Sequence, residues 1–273
     1  MGYFRCDGHK RRSFSEHLAF TTETREAGSA DIASAFGRYL RLGGMPGVHE
    51  ISGEASALTY LRDVLDGIVL KDVVARHRIR DLDLLQRLVA HLMDGIGRVV
   101  SPKRVSDFLK SQRRSLGTET IYNYLSALGK ACLILTAPRH DIKGRRNLET
   151  LEKYFLIDHG FIHALLGFRA DETPGLLENT VFLELKRRGF DPRIDKWNGK
   201  EIDFVADRPG ERIYIQVCYL LASPEIVARE FAPLEAVRDN HRKLVLSMDA
   251  GPASSRDGIE RRHLPEFLLH EGW

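Results

Sequence analysis

From 54 to 77 apolar residues recur at intervals of three and four, at Leu58, Leu61, Leu65, Ile68, Val69 and Val73, and this spacing predicts one long helix with a single buried stripe. A second helix is predicted over 81–93, with Asp81 or Asp83 placed to accept from its first amides. Ser101 and Pro102 suit the cap and first position of a third over 103–110, and Thr118 opens a fourth that runs to Leu128. The apolar run 131–135 reads as a strand, and so does 153–158. From Gly175 the pattern becomes helix (175–189), three short strands (190–197, 201–207 and 212–220), helix (224–240) and strand (242–248), the order of an α/β layer. Nearer the N-terminus, short helices are predicted over 14–20 and 33–42, the second ending at Gly43-Gly44-Met45-Pro46-Gly47. That glycine pair reads as a turn, because the phosphate-loop pattern G-x-x-x-x-G-K-[ST] occurs nowhere in the chain.

Helix, short helix, turn, helix and strand between 81 and 135 describe a winged-helix unit, whose third helix, 118–128, is the one that would enter a major groove. The segment 141–146 is its predicted wing. Charge is placed to match. Lys103, Arg104, Lys110, Arg113 and Arg114 lie within the unit and Lys143, Arg145 and Arg146 on the wing, against few acids, chiefly Asp94, Asp107 and Glu119. Tyr122 and Asn123 on the third helix are placed to reach base edges. Basic side chains also simply solvate helices, and winged helices also dock proteins, so double-stranded DNA and a protein partner both stay open.

Candidate chemistry lies in the α/β layer. Glu178 stands on its first helix, Asp203 in its second strand, and Gln216-Val217-Cys218 in its third. Helix, acid-bearing strand and next strand resemble the core of PD-(D/E)XK restriction-endonuclease-like folds, in which an acid on one strand and an E-x-K on the next hold a divalent metal and activate water. The resemblance implies that Gln216 and Cys218 stand where the second acid and the lysine belong, leaving Glu178, Asp203, Gln216 and Cys218 as vestiges of a centre that holds no metal. Strict alternation turns Asp203 away from the apolar face of its strand and puts Tyr214, Gln216 and Cys218 on one face, expected to be shared with Asp203. Glu184 is expected to face solvent, and Lys200 and Glu201 are close enough to pair or substitute. The competing expectation is a magnesium-dependent DNA nuclease using Asp203 and Glu178 with a displaced lysine, and convergence of an ammonium on those two acids would favour it.

Wider resemblance rests on separated motifs: Arg38-Tyr-Leu-Arg-Leu-Gly-Gly-Met-Pro46, Val69-Leu-Lys-Asp-Val73, Thr120-Ile-Tyr-Asn-Tyr-Leu125, Lys153-Tyr-Phe-Leu-Ile-Asp158 and Leu177-Glu-Asn-Thr-Val-Phe-Leu-Glu-Leu185. In order, they resemble the C-terminal half of a prokaryotic AAA+ ATPase family, a winged helix followed by a restriction-endonuclease-like domain. What the resemblance implies is an α/β (α+β) fold in four parts: a remnant of the ATPase lid (1–52), a helical and winged-helix domain (53–160), the nuclease-like domain (161–250) and a tail (251–273). It implies a non-catalytic DNA- or protein-binding region, with an ATPase domain or another protein as partner. Walker motifs are lacking, so the P-loop domain of the family is expected to be missing and no cofactor is expected, ATP and magnesium entering only with a full-length ATPase domain.

Composition narrows this little. A chain of 273 residues with a formal charge of +3, 43% hydrophobic and 29% charged, is an ordinary globular protein large enough for two modest cores. No apolar run approaches the roughly 18 residues that span a bilayer, and the first residues lack a signal-peptide core, so no membrane partner and a cytoplasmic location are expected.

Overall fold

The computed structural model describes residues 11–21, 29–111, 117–140, 152–169, 173–197 and 200–270. Helix α1 (Phe14–Thr21) begins with a reciprocal cap: Glu16 Oε2 accepts from the Ser13 amide at 2.8 Å and Ser13 Oγ from the Glu16 amide at 3.3 Å. It packs against α2 (Ser29–Leu42), with the Phe14 ring edge-on to Phe36. The glycine pair after α2 is a turn built round a buried carboxylate. Asp158 accepts from the amides of Gly44 and Gly160 at 2.8 Å each, and a Cβ at Gly43, whose φ is +70°, would lie 1.7 Å from Asp158 Oδ1. Arg11 closes the cluster, its Nε 3.5 Å from Asp158 and its Nη2 donating to the Tyr39 hydroxyl at 2.6 Å.

The long helix expected over 54–77 divides into α3 (Glu54–Gly67) and a π-helical stretch, Ile68–Ala75. The winged-helix order follows: α4 (Leu82–Asp94), capped by Asp81 accepting from the Leu84 amide, β1 (Val99–Val100), α5 (Pro102–Ser111), capped by Ser101, α6 (Thr118–Lys130), β2 (Ile134–His140) and β3 (Glu152–Leu156). Both β1 and β2 pair antiparallel with β3. Cys132 takes a positive φ of 56°, so β2 starts later than the apolar run suggests and continues to His140. Its extra length matters. Ile134 to Pro138 pair with β3, whereas Arg139 and His140 pair parallel with Ile194 and Asp195, which joins the winged helix and the α/β layer in one sheet.

After α7 (Gly160–Leu166), which packs on α2, α3 and α4, α8 (Thr173–Arg187) covers β4 (Asp191–Trp197), β5 (Lys200–Arg208) and β6 (Glu211–Val217), and after α9 (Pro224–Glu235) comes β7 (Arg242–Ser247). These match the predicted helix, three strands, helix and strand, except that β6 ends three residues before 220 and α9 five before 240. The residues read as a tail instead form β8 (Ser254–Arg256), β9 (Ile259–His263) and α10 (Leu264–Leu269). β9 pairs parallel with β7, and α10 packs on α1 and α2. Among the described residues the sheet has nine strands in the order β1-β3-β2-β4-β5-β6-β7-β9-β8, a mixed α+β architecture. One core runs through it from Phe14 to Leu268, with Phe155 of β3 stacked on Phe182 of α8 at 4.3 Å. A smaller core lies under α9. No helix among the described residues is long and apolar enough to cross a membrane.

Candidate functional site

Where the winged helix meets the α/β layer, four charged side chains converge. Lys153 Nζ on β3 lies 2.9 Å from Glu178 Oε2, 2.8 Å from Glu201 Oε1 and 3.3 Å from Asp203 Oδ1. Alternation along β3 puts Lys153 on the face of Phe155, toward α8. Glu178 is brought in by α8, whose start lies so close to the winged helix that a Cβ at Gly175 would meet the Ile96 carbonyl at 2.4 Å. Lys153 and Asp203 are almost wholly buried, Glu178 mostly so, and Glu201 stands at the mouth with its side chain 48% exposed.

Asp203 reaches the cluster through a β-bulge. Arg193 and Asp195 of β4 pair with Val205 and Ile202 of β5, so β5 carries one residue more than β4 across the same interval. Ile202 and Val205 therefore both pack under α9, while Phe204 and Ala206 face α8, and Asp203 joins the α8 side. The expected exposed Asp203 is thus corrected: it is 6% exposed. The β5–β6 ladder ends at Phe204 and Ile215, and the Val217 amide donates to Asp203 Oδ2 at 2.9 Å instead of to a β5 carbonyl.

Gln216 and Cys218 do not share this face. Tyr214 and Cys218 pack under α9 with Phe231 and Leu234, and Gln216 Nε2 donates to Glu230 Oε2 of α9 at 3.2 Å. The expected common face with Asp203 fails because the bulge reverses the phase of β5 and not of β6. Burial, then the charges of Glu230, Asp249 and Asp203, push the Cys218 thiol up to about 12, which leaves it protonated and inert. Glu184, expected in solvent, is buried and clasped by Arg187 at 2.7 Å and Arg188 at 2.6 Å.

Electrostatics of the cluster follow from burial. Burial, then the neighbouring Asp203 charge, pushes the Glu178 carboxyl up to about 8 against the pull of Lys153. Asp203 is also raised, first by burial, with Lys153 and the Val217 amide opposing. Burial alone would lower Lys153, but the charges of Glu178, Asp203 and Glu201 outweigh it and raise it, so the ammonium stays charged.

A magnesium ion needs oxygen ligands at about 2.0–2.1 Å in near-octahedral geometry. Here the ammonium stands where the three carboxylates meet, and the second Asp203 oxygen is engaged by Val217. Among the described residues no group of three or more histidine, cysteine, aspartate or glutamate side chains is arranged to hold a metal. These side chains, as placed, do not fit the metal that the nuclease resemblance implies. Lys153 was overlooked in the sequence, although a lone lysine in step with Phe155 and Ile157 on a buried strand is a readable signal.

The candidate interface lies on the winged helix. Tyr122 and Asn123 are exposed on α6, Tyr124 is turned inward, and Lys103, Arg104 and Lys110 are exposed on α5. Lys110 makes a long, exposed ion pair with Asp107 at 3.8 Å. Arg113, Arg114, Lys143, Arg145 and Arg146 lie outside the described residues.

A family defined as a domain of unknown function (DUF8612) matches residues 33–172, just over half of the chain. The chain belongs to this family. The DUF8612 match takes in the winged helix and Lys153 and stops before Glu178, Glu201 and Asp203. An uncharacterized protein of Haemophilus influenzae is 32% identical over 257 residues, which cover 94% of this chain and 63% of that protein. One from Methanocaldococcus jannaschii is 31% identical over 252 residues, covering 89% and 56% respectively. The chain therefore spans less than two thirds of the length of either curated relative. No solved structure matches it.

Proposed function

We propose that this DUF8612 chain is a cytoplasmic, non-catalytic DNA-binding module that sets α6 in the major groove of a duplex. The observation that carries this is the outward face of α6, where Tyr122 and Asn123 are exposed beside α5 with its Lys103 and Arg104. An asparagine amide can pair with an adenine edge, and the two cations suit phosphate contacts that fix the helix in register. The resemblance to the C-terminal half of AAA+ ATPases supports a further part of the proposal, that an ATPase domain is the partner through which binding is put to use.

Fluorescence anisotropy with a labelled duplex over a series of salt concentrations tests it. Binding should fall steeply with salt, and Lys103→Glu with Arg104→Glu should weaken it and lower the log–log salt slope by about 2, close to one unit per lost phosphate contact. No binding at low salt would refute the DNA proposal and leave docking of a protein by the same face.

A second possibility is a magnesium-dependent nuclease using Asp203 and Glu178: an ammonium does meet both acids, but it would have to give way for a metal to enter. Incubation of the same protein with plasmid DNA and magnesium decides between them. Cleavage that is lost in Asp203→Ala would establish the nuclease and overturn the non-catalytic assignment.

A further inference from the structure

We propose that Lys153 is the resident cation of the carboxylate centre, its ammonium standing in place of the divalent metal implied by the nuclease resemblance. This goes beyond duplex binding by the winged helix and does not depend on it. Nζ lies within 3.3 Å of an oxygen from each of Glu178, Glu201 and Asp203, on two different elements, and the lysine side chain is only 3% exposed. A metal entering the same point would have to displace that ammonium, because the two cations cannot share it. Nor does β6 offer a fourth acid. The Val217 amide holds Asp203 Oδ2, while Gln216 and Cys218 face α9. A tethered cation has a second consequence, since its occupancy does not depend on the concentration of any free ion.

Thermal unfolding of the full chain in EDTA, magnesium or manganese is the test. The wild type should melt at one temperature in all three. Lys153→Met leaves buried acids without a counter-ion, so its midpoint in EDTA should fall by roughly 6–15 °C, and manganese should recover about half of that loss. The double change Lys153→Met with Asp203→Asn removes one acid together with the cation. It should melt above Lys153→Met in EDTA and respond less to manganese.

Stabilisation of the wild type by magnesium or manganese would overturn the proposal, and so would a Lys153→Met midpoint equal to the wild type in EDTA or a loss that manganese leaves untouched. If Lys153→Met does not fold, the wild-type series and the double variant still decide. Duplex binding, measured separately by anisotropy, stands or falls independently.

Discussion

Glu178→Gln should gain stability relative to the wild type as pH rises, although it breaks an ion pair with Lys153. The carboxyl is raised from 4.5 to about 8 in the folded state. A group raised in this way contributes its stability in full below its unfolded value and loses it as pH rises through the folded one. Wild-type stability from Glu178 is therefore complete below about pH 4.5 and gone above about pH 8. The rise from 4.5 to about 8 corresponds to roughly 5 kcal/mol. Glutamine cannot ionise, so the difference between variant and wild type should move in favour of the variant by roughly 3–5 kcal/mol between pH 4.5 and pH 9. Urea unfolding of both proteins at several pH values measures this directly, with common pH effects cancelling in the difference. A difference that stays constant with pH, or moves in favour of the wild type as pH rises, would show that Lys153 outweighs burial and that the account of the cluster is wrong.

Gly43→Ala should destabilise the fold by about 3 kcal/mol or more in urea unfolding, because its Cβ would strike Asp158 Oδ1 at a positive φ; an unchanged midpoint would refute the role given to that turn. Tyr122→Ala with Asn123→Ala should weaken duplex binding about tenfold or more while leaving the melting temperature near that of the wild type, and unaltered affinity would remove α6 from the interface. Calorimetric titration with ATP and magnesium should give no heat beyond dilution, since no phosphate loop is present in the sequence; micromolar binding would contradict that.

Much of the architecture was legible because the apolar spacing changes from helical to alternating near Phe190, and because Asp81, Ser101 and Pro102 mark helix starts by their own chemistry. What escaped was tertiary. The extension of β2 to His140 is decided by β4 beside it, and β9 is held by its pairing to β7, and β8 by its pairing to β9, rather than by strong local preference. One extra residue in β5 reversed the side of Asp203, a change that alternation counting cannot detect. The acids of the site were named from sequence, but their lysine came from β3, 50 residues before Asp203, where only folding brings it near.

Hydrogen exchange of the full chain with and without a DNA duplex at low salt tests the central claim most directly. Duplex binding by the winged helix predicts slowed exchange in the amides of α5 and α6, with the amides of β5 and β6 unchanged. Protection centred on α8 and β5 around Glu178 and Asp203, or no protection at all, would contradict it.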